Sequence, residues 1–305
     1  MSESKKLNKD KVFIGITPTS WWNDDFLDID IGIPFEQCVS EMALAGYQGC
    51  SVGHKYPTDI EELKMKLDIR GLRVSEPWTS TFFTCEAMFD KTVADFKSSL
   101  EFIKTMGGKD IVVAELGHSV HQRPLPIFPN RPIFDDQQWD AVTNGLHHLG
   151  KIANDQGMRL CYHHHMGTGI QTRAEVDRLM ASTDPELVHL LLDTGHLYFS
   201  GDDPLDMAKA YASRIKHVHL KNIRKPIMEI AVKDNYSFKE SIEAGIFTVP
   251  GDAEGCIDFP PIFQALADVD FEGWLVVEAE QNPAKAYPLK YAKMGREYLR
   301  EVTGI

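Results

Sequence analysis

Short apolar runs alternate along this chain with longer segments whose apolar residues recur at helical spacing. The runs are Val12–Thr17, Gly49–Val52, Leu72–Ser75, Ile111–Leu116, Met158–His163, Val188–Asp193, Ile215–Leu220 and Trp274–Glu278. The helix-period segments are Phe35–Ala45, Ile60–Leu67, Ala87–Met106, Gln137–Asn154, Arg173–Ala181, Pro204–Ala212, Ile262–Leu266 and a last amphipathic stretch, Ala284–Val302. Strand–helix alternation predicts a parallel sheet. Ile111-Val112-Val113-Ala114 and Leu190-Leu191-Leu192 are apolar throughout, as strands buried on both faces are. Eight such units in 305 residues fit a closed (β/α)8 TIM barrel better than an open doubly wound sheet. No GxGxxG follows the first run, so a dinucleotide-binding fold lacks its main signal.

Punctuation agrees with this division. Thr58-Asp59-Ile60-Glu61 and Thr172-Arg173-Ala174-Glu175 read as capped first turns. Gly46, Gly71, Gly107-Gly108 and Gly157 fall just before strands, where helices end in a left-handed residue. There is no linker, low-complexity segment or internal repeat, so one domain over residues 1–305 is expected. The stretch Asn222–Asp258, with Pro226, Gly245, Pro250, Gly251 and Gly255, reads as a long irregular loop over the active-site face. A loop of that length is usually a lid or a substrate wall.

Composition narrows the partners. A net charge of −13 repels phosphate backbones, so nucleic acid is a poor partner. No apolar run approaches the roughly 20 residues needed to span a bilayer. Met1-Ser2-Glu3-Ser4-Lys5-Lys6 is polar and lacks a signal-peptide core, so a cytoplasmic protein is expected. The five cysteines are Cys38, Cys50, Cys85, Cys161 and Cys256; they are odd in number and form no CxxC, which predicts buried free thiols. The sequence leaves a monomer and a homo-oligomer equally open.

The candidate chemistry lies where the predicted strands end, because barrel active sites are built there. Tyr162-His163-His164-His165-Met166 closes the fifth strand, and a period of two puts His163 and His165 on one face, with His164 opposite. The sixth strand ends in Asp193 followed by His196, the seventh in His219 and Lys221, the eighth in Glu278 and Glu280. The third offers Glu76 and Trp78, the fourth Glu115 and His118. Asp193 either caps the next turn or points inward as a ligand, and its place before Thr194-Gly195-His196 favours the ligand. His217 shares a face with His219 but lies deeper and reads as a satisfied interior histidine. A buried Glu278 calls for a metal or a base, and Glu280, one period further out, is the alternative. Trp21, Asn23, His54, Trp78 and Glu115 are the candidate substrate contacts, although the tryptophans read equally as rim core. Lys221 is either a solvated strand-end charge or a donor to a substrate oxygen. Carboxylates with imidazoles and no thiolate suit manganese, cobalt, magnesium or zinc. An open-sided cation of that kind polarises a carbonyl while neighbouring groups move a proton from the adjacent carbon.

The set Asp193, His219 and Glu278, in LLLDTGH, HVHLKN and GWLVVEAEQ, resembles the xylose isomerase-like barrel superfamily. Within it, WWNDD at Trp21–Asp25, SVGHKYP at Ser51–Pro57, YHHHMGTGIQT at Tyr162–Thr172, DTGH and HVHLKN resemble the inosose dehydratase family, from about Val12 to the last helix. That resemblance implies a hydro-lyase of inositol catabolism that removes water from 2-keto-myo-inositol (scyllo-inosose) to give a trihydroxycyclohexane-dione, with manganese or cobalt. It places metal ligands on Asp193, His219 and Glu278. The superfamily's fourth ligand is a glutamate ending the fifth strand; here histidines stand there, so the fourth falls to His163 or His165, to Glu115 or to water. For such a reaction the expected proton-transfer groups are Glu278 or His163 as base and His196 or His165 as acid, with a protonated imidazole or Lys221 assisting departure of the hydroxyl. Reduced glutathione is associated with the family's activity, and no motif here supplies a site for it. The rival readings are a metal-dependent ketose 3-epimerase or sugar isomerase, a barrel-type AP endonuclease, which the acidic charge disfavours, and a barrel that binds sugars without chemistry.

Overall fold

Buried backbone must hydrogen-bond, and the apolar runs do so as strands. The computed structural model describes residues 5–305; Met1–Ser4, the start of the polar stretch read above, lie outside the described residues. The strands are β1 Val12–Ile16, β2 Gly49–Cys50, β3 Arg73–Val74, β4 Trp78–Thr81, β5 Asp110–Glu115, β6 Arg159–His163, β7 Val188–Asp193, β8 Ile215–Leu220, β9 Asn222–Ile223, β10 Phe247–Thr248 and β11 Gly273–Val277. All but β9 and β10 join one sheet of order β3-β2-β1-β11-β8-β7-β6-β5-β4, parallel throughout.

The two edges of that sheet, β3 and β4, are separated in the chain only by Ser75-Glu76-Pro77. The Ser75 N–H donates to Cys50 O at 2.9 Å and the Val112 N–H to Pro77 O at 3.2 Å, so the same short stretch bonds to β2 on one side and β5 on the other. Pro77 has no N–H to give, which breaks the ladder between the two segments. Counted as one interrupted strand, β3 and β4 close an eight-stranded cylinder in chain order, as the alternation predicted.

The helices are α1 Phe35–Ala45, α2 Ile60–Asp68, α3 Phe89–Thr105, α4 Ile127–Asn130, α5 Asp136–Asn154, α6 Arg173–Ser182, α7 Thr194–Ser200, α8 Pro204–Tyr211, α9 Lys225–Lys233, α10 Phe238–Ala244, α11 Phe259–Asp268 and α12 Pro288–Thr303. Asp59, Asp135 and Thr172 cap α2, α5 and α6 by accepting a first-turn N–H. Gly46, Gly71, Gly107 and Gly157 all have positive φ, as their position before strands predicted, whereas Gly108 does not. The main core lies between cylinder and helices, and Val112, Cys161 and Leu191 form an apolar layer inside the cylinder. Cys38, Cys50 and Cys161 are buried thiols as expected; Cys85 is half-buried and Cys256 exposed.

The stretch Asn222–Asp258 corrects the sequence reading. It is ordered into β9, α9, α10 and the returning strand β10, around its own cluster of Ile223, Phe238, Ile242, Ile246 and Phe247. Pro226 sits in the first turn of α9, and Gly245 is the left-handed cap of α10. Residues read as loop breakers therefore mark helix ends.

At the cylinder floor Gly49 pairs with Arg73, and a Cβ there would sit 2.5 Å from the Trp274 ring and 2.6 Å from the Arg73 carbonyl. Gly49→Ala is expected to lower stability by about 1–3 kcal/mol, the usual range for overpacking. Urea unfolding measures this, and an unchanged midpoint would contradict this packing.

Candidate active site

Cross-strand register decides which strand ends meet. Asp193 pairs with His219 and His219 with Val276, so Asp193 and His219 stand side by side with Glu278 two residues beyond Val276. Asp193 Oδ1 accepts the His196 N–H at 2.8 Å and caps α7. Its other oxygen, Oδ2, is buried without a hydrogen bond. The capping reading of Asp193 is thus seen at Oδ1, while Oδ2 is left open. Around Oδ2 lie His163 Nε2 at 3.5 Å, Lys221 Nζ at 3.6 Å and His219 Nδ1 at 3.7 Å. His219 Nδ1 is 3.1 Å from Glu278 Oε2. His163, Asp193, His196 and Glu278 each offer a ligand atom within 4.8 Å of the others. Ligands about 2.0–2.2 Å from one cation lie about 3–3.6 Å apart, and the free Asp193 oxygen has its neighbours close to that spacing. The donor set fits a divalent cation.

Lys221 is fully buried, which excludes a solvated strand-end charge. Its ammonium reaches Glu280 Oε2 at 2.7 Å and Glu278 Oε2 at 3.0 Å, and donates to His196 Nε2 at 2.8 Å. Gly195 in α7 makes room for its stem, since a Cβ there would lie 2.5 Å from Lys221 Cγ.

Electrostatics at this end of the barrel favour positive charge. Burial works against the Lys221 charge, but Asp193, Glu278 and Glu280 outweigh it and raise its pKa. Burial likewise opposes His219, yet Glu278 and Glu76 push it up to about 10. Burial would raise Asp193 and Glu278, but Lys221 leads the opposing influences and both remain ionised. Glu280 differs: burial, with Glu278 nearby, outweighs Lys221 and lifts it to about 8. His163, His165 and His196 are all held below the usual imidazole range by burial and are neutral.

A cavity of about 280 Å³ opens above this cluster, lined among others by Asn23, Asp25, His54, Glu76, Trp78 and Glu280, with His163, His165, His219 and Glu278. That volume suits one small molecule. His165 Nδ1 is 2.8 Å from Met166 O. A carbonyl can only accept, so Nδ1 carries the proton and the Nε2 lone pair is free. His165 groups with Asp25 and Glu280 rather than with Asp193, whereas His163 reaches Asp193 directly. Phe238 of α10 covers His165 and His196 at ring separations of 5.3 and 5.7 Å, so the excursion after β9 walls the site.

Trp78 and His54 line the cavity, with His54 held by Asp24 and Trp78 edge-on to His163 and His165. Asn23 also lines it, but its side-chain oxygen is committed to the N–H groups of Asp25 and Phe26. Two expected contacts are corrected. Trp21 is fully buried in the main core and donates to Glu41 of α1 at 2.6 Å, away from the cavity. Glu115 accepts from Thr81 Oγ1, the Phe83 N–H, both Thr84 donors and the Gly117 N–H, so its carboxyl pins the loops after β4 and β5 and has no place in the cavity or the cation cluster. His196 lies behind His165, with rings 3.9 Å apart, and meets Lys221 rather than the cavity. His164 points away, accepting the Asp193 N–H at 3.3 Å. Glu76 was named in sequence only as a strand-end carboxylate and Asp25 only within Trp21–Asp25, and neither was given a role. The period-two spacing from Val74 through Glu76 to Trp78 carried the signal for Glu76; nothing local marked Asp25.

A closed parallel barrel with a carboxylate–imidazole cluster at the strand ends defines a known class: the chain belongs to the xylose isomerase-like TIM barrel family, which matches residues 39–302. Solved structures of this fold include an IOLI protein with a bound zinc atom (TM-score 0.71, 15% identity, 96% of this chain and 98% of that one). Another is a probable 3-DHS dehydratase of Bacillus anthracis (TM-score 0.70, 17% identity, 94% and 98%). Within the class the chain falls among the inosose dehydratases. It is 49% identical over 293 residues to that of Bacillus cereus, covering 96% of this chain and 97% of the relative. It is 48% identical over 299 residues to that of Clostridium botulinum, covering 98% and 99%.

Glu115→Leu removes the acceptor shared by five donors, of which Thr81 Oγ1 retains another in the Ala114 carbonyl. It is expected to cost about 3 kcal/mol or more in denaturant unfolding, since each buried orphan costs about 1–3 kcal/mol. Stability equal to the parent would contradict the structural role given to Glu115.

Proposed function

We propose that this protein is a metal-dependent hydro-lyase that removes water from 2-keto-myo-inositol to give a trihydroxycyclohexane-1,2-dione. The observation that carries the reading is the unbonded Asp193 oxygen with Glu278, His219 and His163 gathered round it at the foot of a small cavity. The near-full-length likeness to inosose dehydratases supports this choice of substrate.

In this reading Asp193, His219 and Glu278 hold the cation, and His163 is the fourth ligand in place of His165. Two carboxylates with two imidazoles and no thiolate suit manganese or cobalt. A cation bound there supplies Lewis-acid polarisation of the ketone. The chain's own groups move the protons. His165 Nε2, with its lone pair free, takes the proton from the carbon beside the ketone. The C–H electrons form the C=C bond as the C–O bond at the next carbon breaks. Glu280 gives its proton to the departing hydroxyl, which leaves as water, and the resulting enol rearranges to the second ketone. Lys221 holds Glu280 and Glu278 in place and receives support from His196. Trp78 offers an apolar face to the ring, and Phe238 keeps bulk water from the proton-transfer groups.

Incubation with scyllo-inosose and manganese is expected to give an absorbing dione, and a chelator to abolish it. Epimerised or isomerised ketose with no loss of water would replace this reading with the epimerase one. Asp193→Asn keeps the cap on α7 but removes the charge; it is expected to lose both cation uptake and turnover. His165→Gln and Glu280→Gln are expected to lower kcat by about 10²–10⁴-fold, the range of a lost acid or base, with cation uptake retained. Full turnover in either variant would remove that residue from the proton-transfer role.

A further inference from the structure

Beneath the cation cluster, polar groups run down the inside of the barrel where such cylinders are normally filled by branched apolar side chains. His219 Nε2 is 3.2 Å from Glu76 Oε1. Glu76 Oε2 is 3.2 Å from His217 Nε2. His217 Nδ1 is 3.2 Å from Asp110 Oδ2. Arg159 then grips both Asp110 oxygens, at 2.6 and 3.0 Å. Glu76, His217 and Asp110 are each at most 2% exposed. The column passes from the active-site end to the floor, where Arg159 reaches the Glu272 carbonyl at 3.3 Å.

The alternation of acid and base has a chemical consequence. A carboxylate facing an imidazole nitrogen favours a proton on that nitrogen. Glu76 therefore favours a proton on Nε2, while Nδ1 faces Asp193 and Glu278; a cation held by those two carboxylates displaces the Nδ1 proton and leaves the Nε2 proton on Glu76. His217 lies between two carboxylates, hydrogen-bonded to Asp110 through Nδ1 and paired with Glu76 at Nε2 by charge without a hydrogen bond, and Arg159 closes the column with a second positive charge. Charges thus alternate from Glu76 to Arg159, which relieves the burden of burying each alone. The interruption of the strand at Ser75-Glu76-Pro77, needed to close the barrel, is also what carries Glu76.

We propose that Glu76, anchored through His217, Asp110 and Arg159, is a positioning residue that fixes the His219 tautomer, so that His219 binds the cation through Nδ1 and not Nε2. This rests on the cation site proposed above and adds the liganding atom and the residue that selects it. A Glu76 that was itself a ligand is the competing arrangement, since Glu76, His217 and His219 also offer atoms within 4.8 Å of one another.

Long-range proton–nitrogen correlation spectra of the ¹⁵N-histidine-labelled full chain with zinc test this without any substitution. The expected His219 pattern is a protonated Nε2 and a metal-shifted Nδ1; a metal-shifted Nε2 would overturn the proposal. Titration with cobalt gives an independent readout. Glu76→Gln is expected to weaken cobalt binding by about 10–100-fold, the usual effect of removing such a partner, and to change the visible spectrum of the bound ion, with Glu76→Asp recovering part of both. Unchanged cobalt affinity in Glu76→Gln, or two ions per parent chain, would overturn it. A parent chain that takes up no ion would instead end the cation reading itself, and this inference with it.

Discussion

Asp193 is a fully buried and Glu278 a half-buried ionised carboxylate at the mouth of a barrel, and the surrounding structure answers the demand they create for positive charge. Burying one charge alone is prohibitive, so such groups persist only when paired. Lys221 and His219 meet part of the demand, from neighbouring positions on β8 and its end. The Asp193 oxygen that nothing protonates or bonds shows that the demand is not fully met by side chains. A divalent cation is the group whose charge and ligand spacing complete the arrangement. The neutral histidines around it complement this, because an imidazole kept unprotonated by burial is a better ligand and a better base than one that is charged.

The fold supplies this arrangement through register. Parallel strands in a closed cylinder bring the ends of β6, β7, β8 and β11 to one level, so residues separated by more than a hundred positions in sequence become neighbours. Closure depends on the short Ser75–Pro77 break, which lets one strand bond to different partners above and below it. Cover comes from the excursion between β9 and β10, whose separate apolar cluster presents Phe238 to the site. One side of the cavity is thus built by barrel strands and the other by a folded insertion.

Much of this was legible in the sequence, for identifiable reasons. Apolar runs of strand length followed by helical spacing pointed to the barrel, because burial on both faces leaves no room for polar alternation. Asp193, His219, Glu278 and Lys221 were legible because each lies at the end of such a run. Glu115 ends a run in the same way and yet serves the loops; only the positions of Thr81, Thr84 and Gly117, set by tertiary structure, distinguish the two uses. Trp21 stands close to a cavity residue in sequence but turns to α1, which no period announces. The excursion was misread because proline and glycine mark helix ends and loops alike, and its small core depends on contacts between residues far apart in the chain. The division between His163 and His165 was illegible for another reason. Strand period puts both on one face, and only the third dimension shows that His163 reaches Asp193 while His165 faces Asp25 and Glu280 across the cavity.

The most direct test is anomalous diffraction from crystals of the protein soaked in manganese. The expected result is one strong peak within about 2.0–2.4 Å, ordinary bonding distance, of Asp193 Oδ2, Glu278 Oε2 and His219 Nδ1. Active crystals with no peak there, or with their manganese bound elsewhere, would contradict the account.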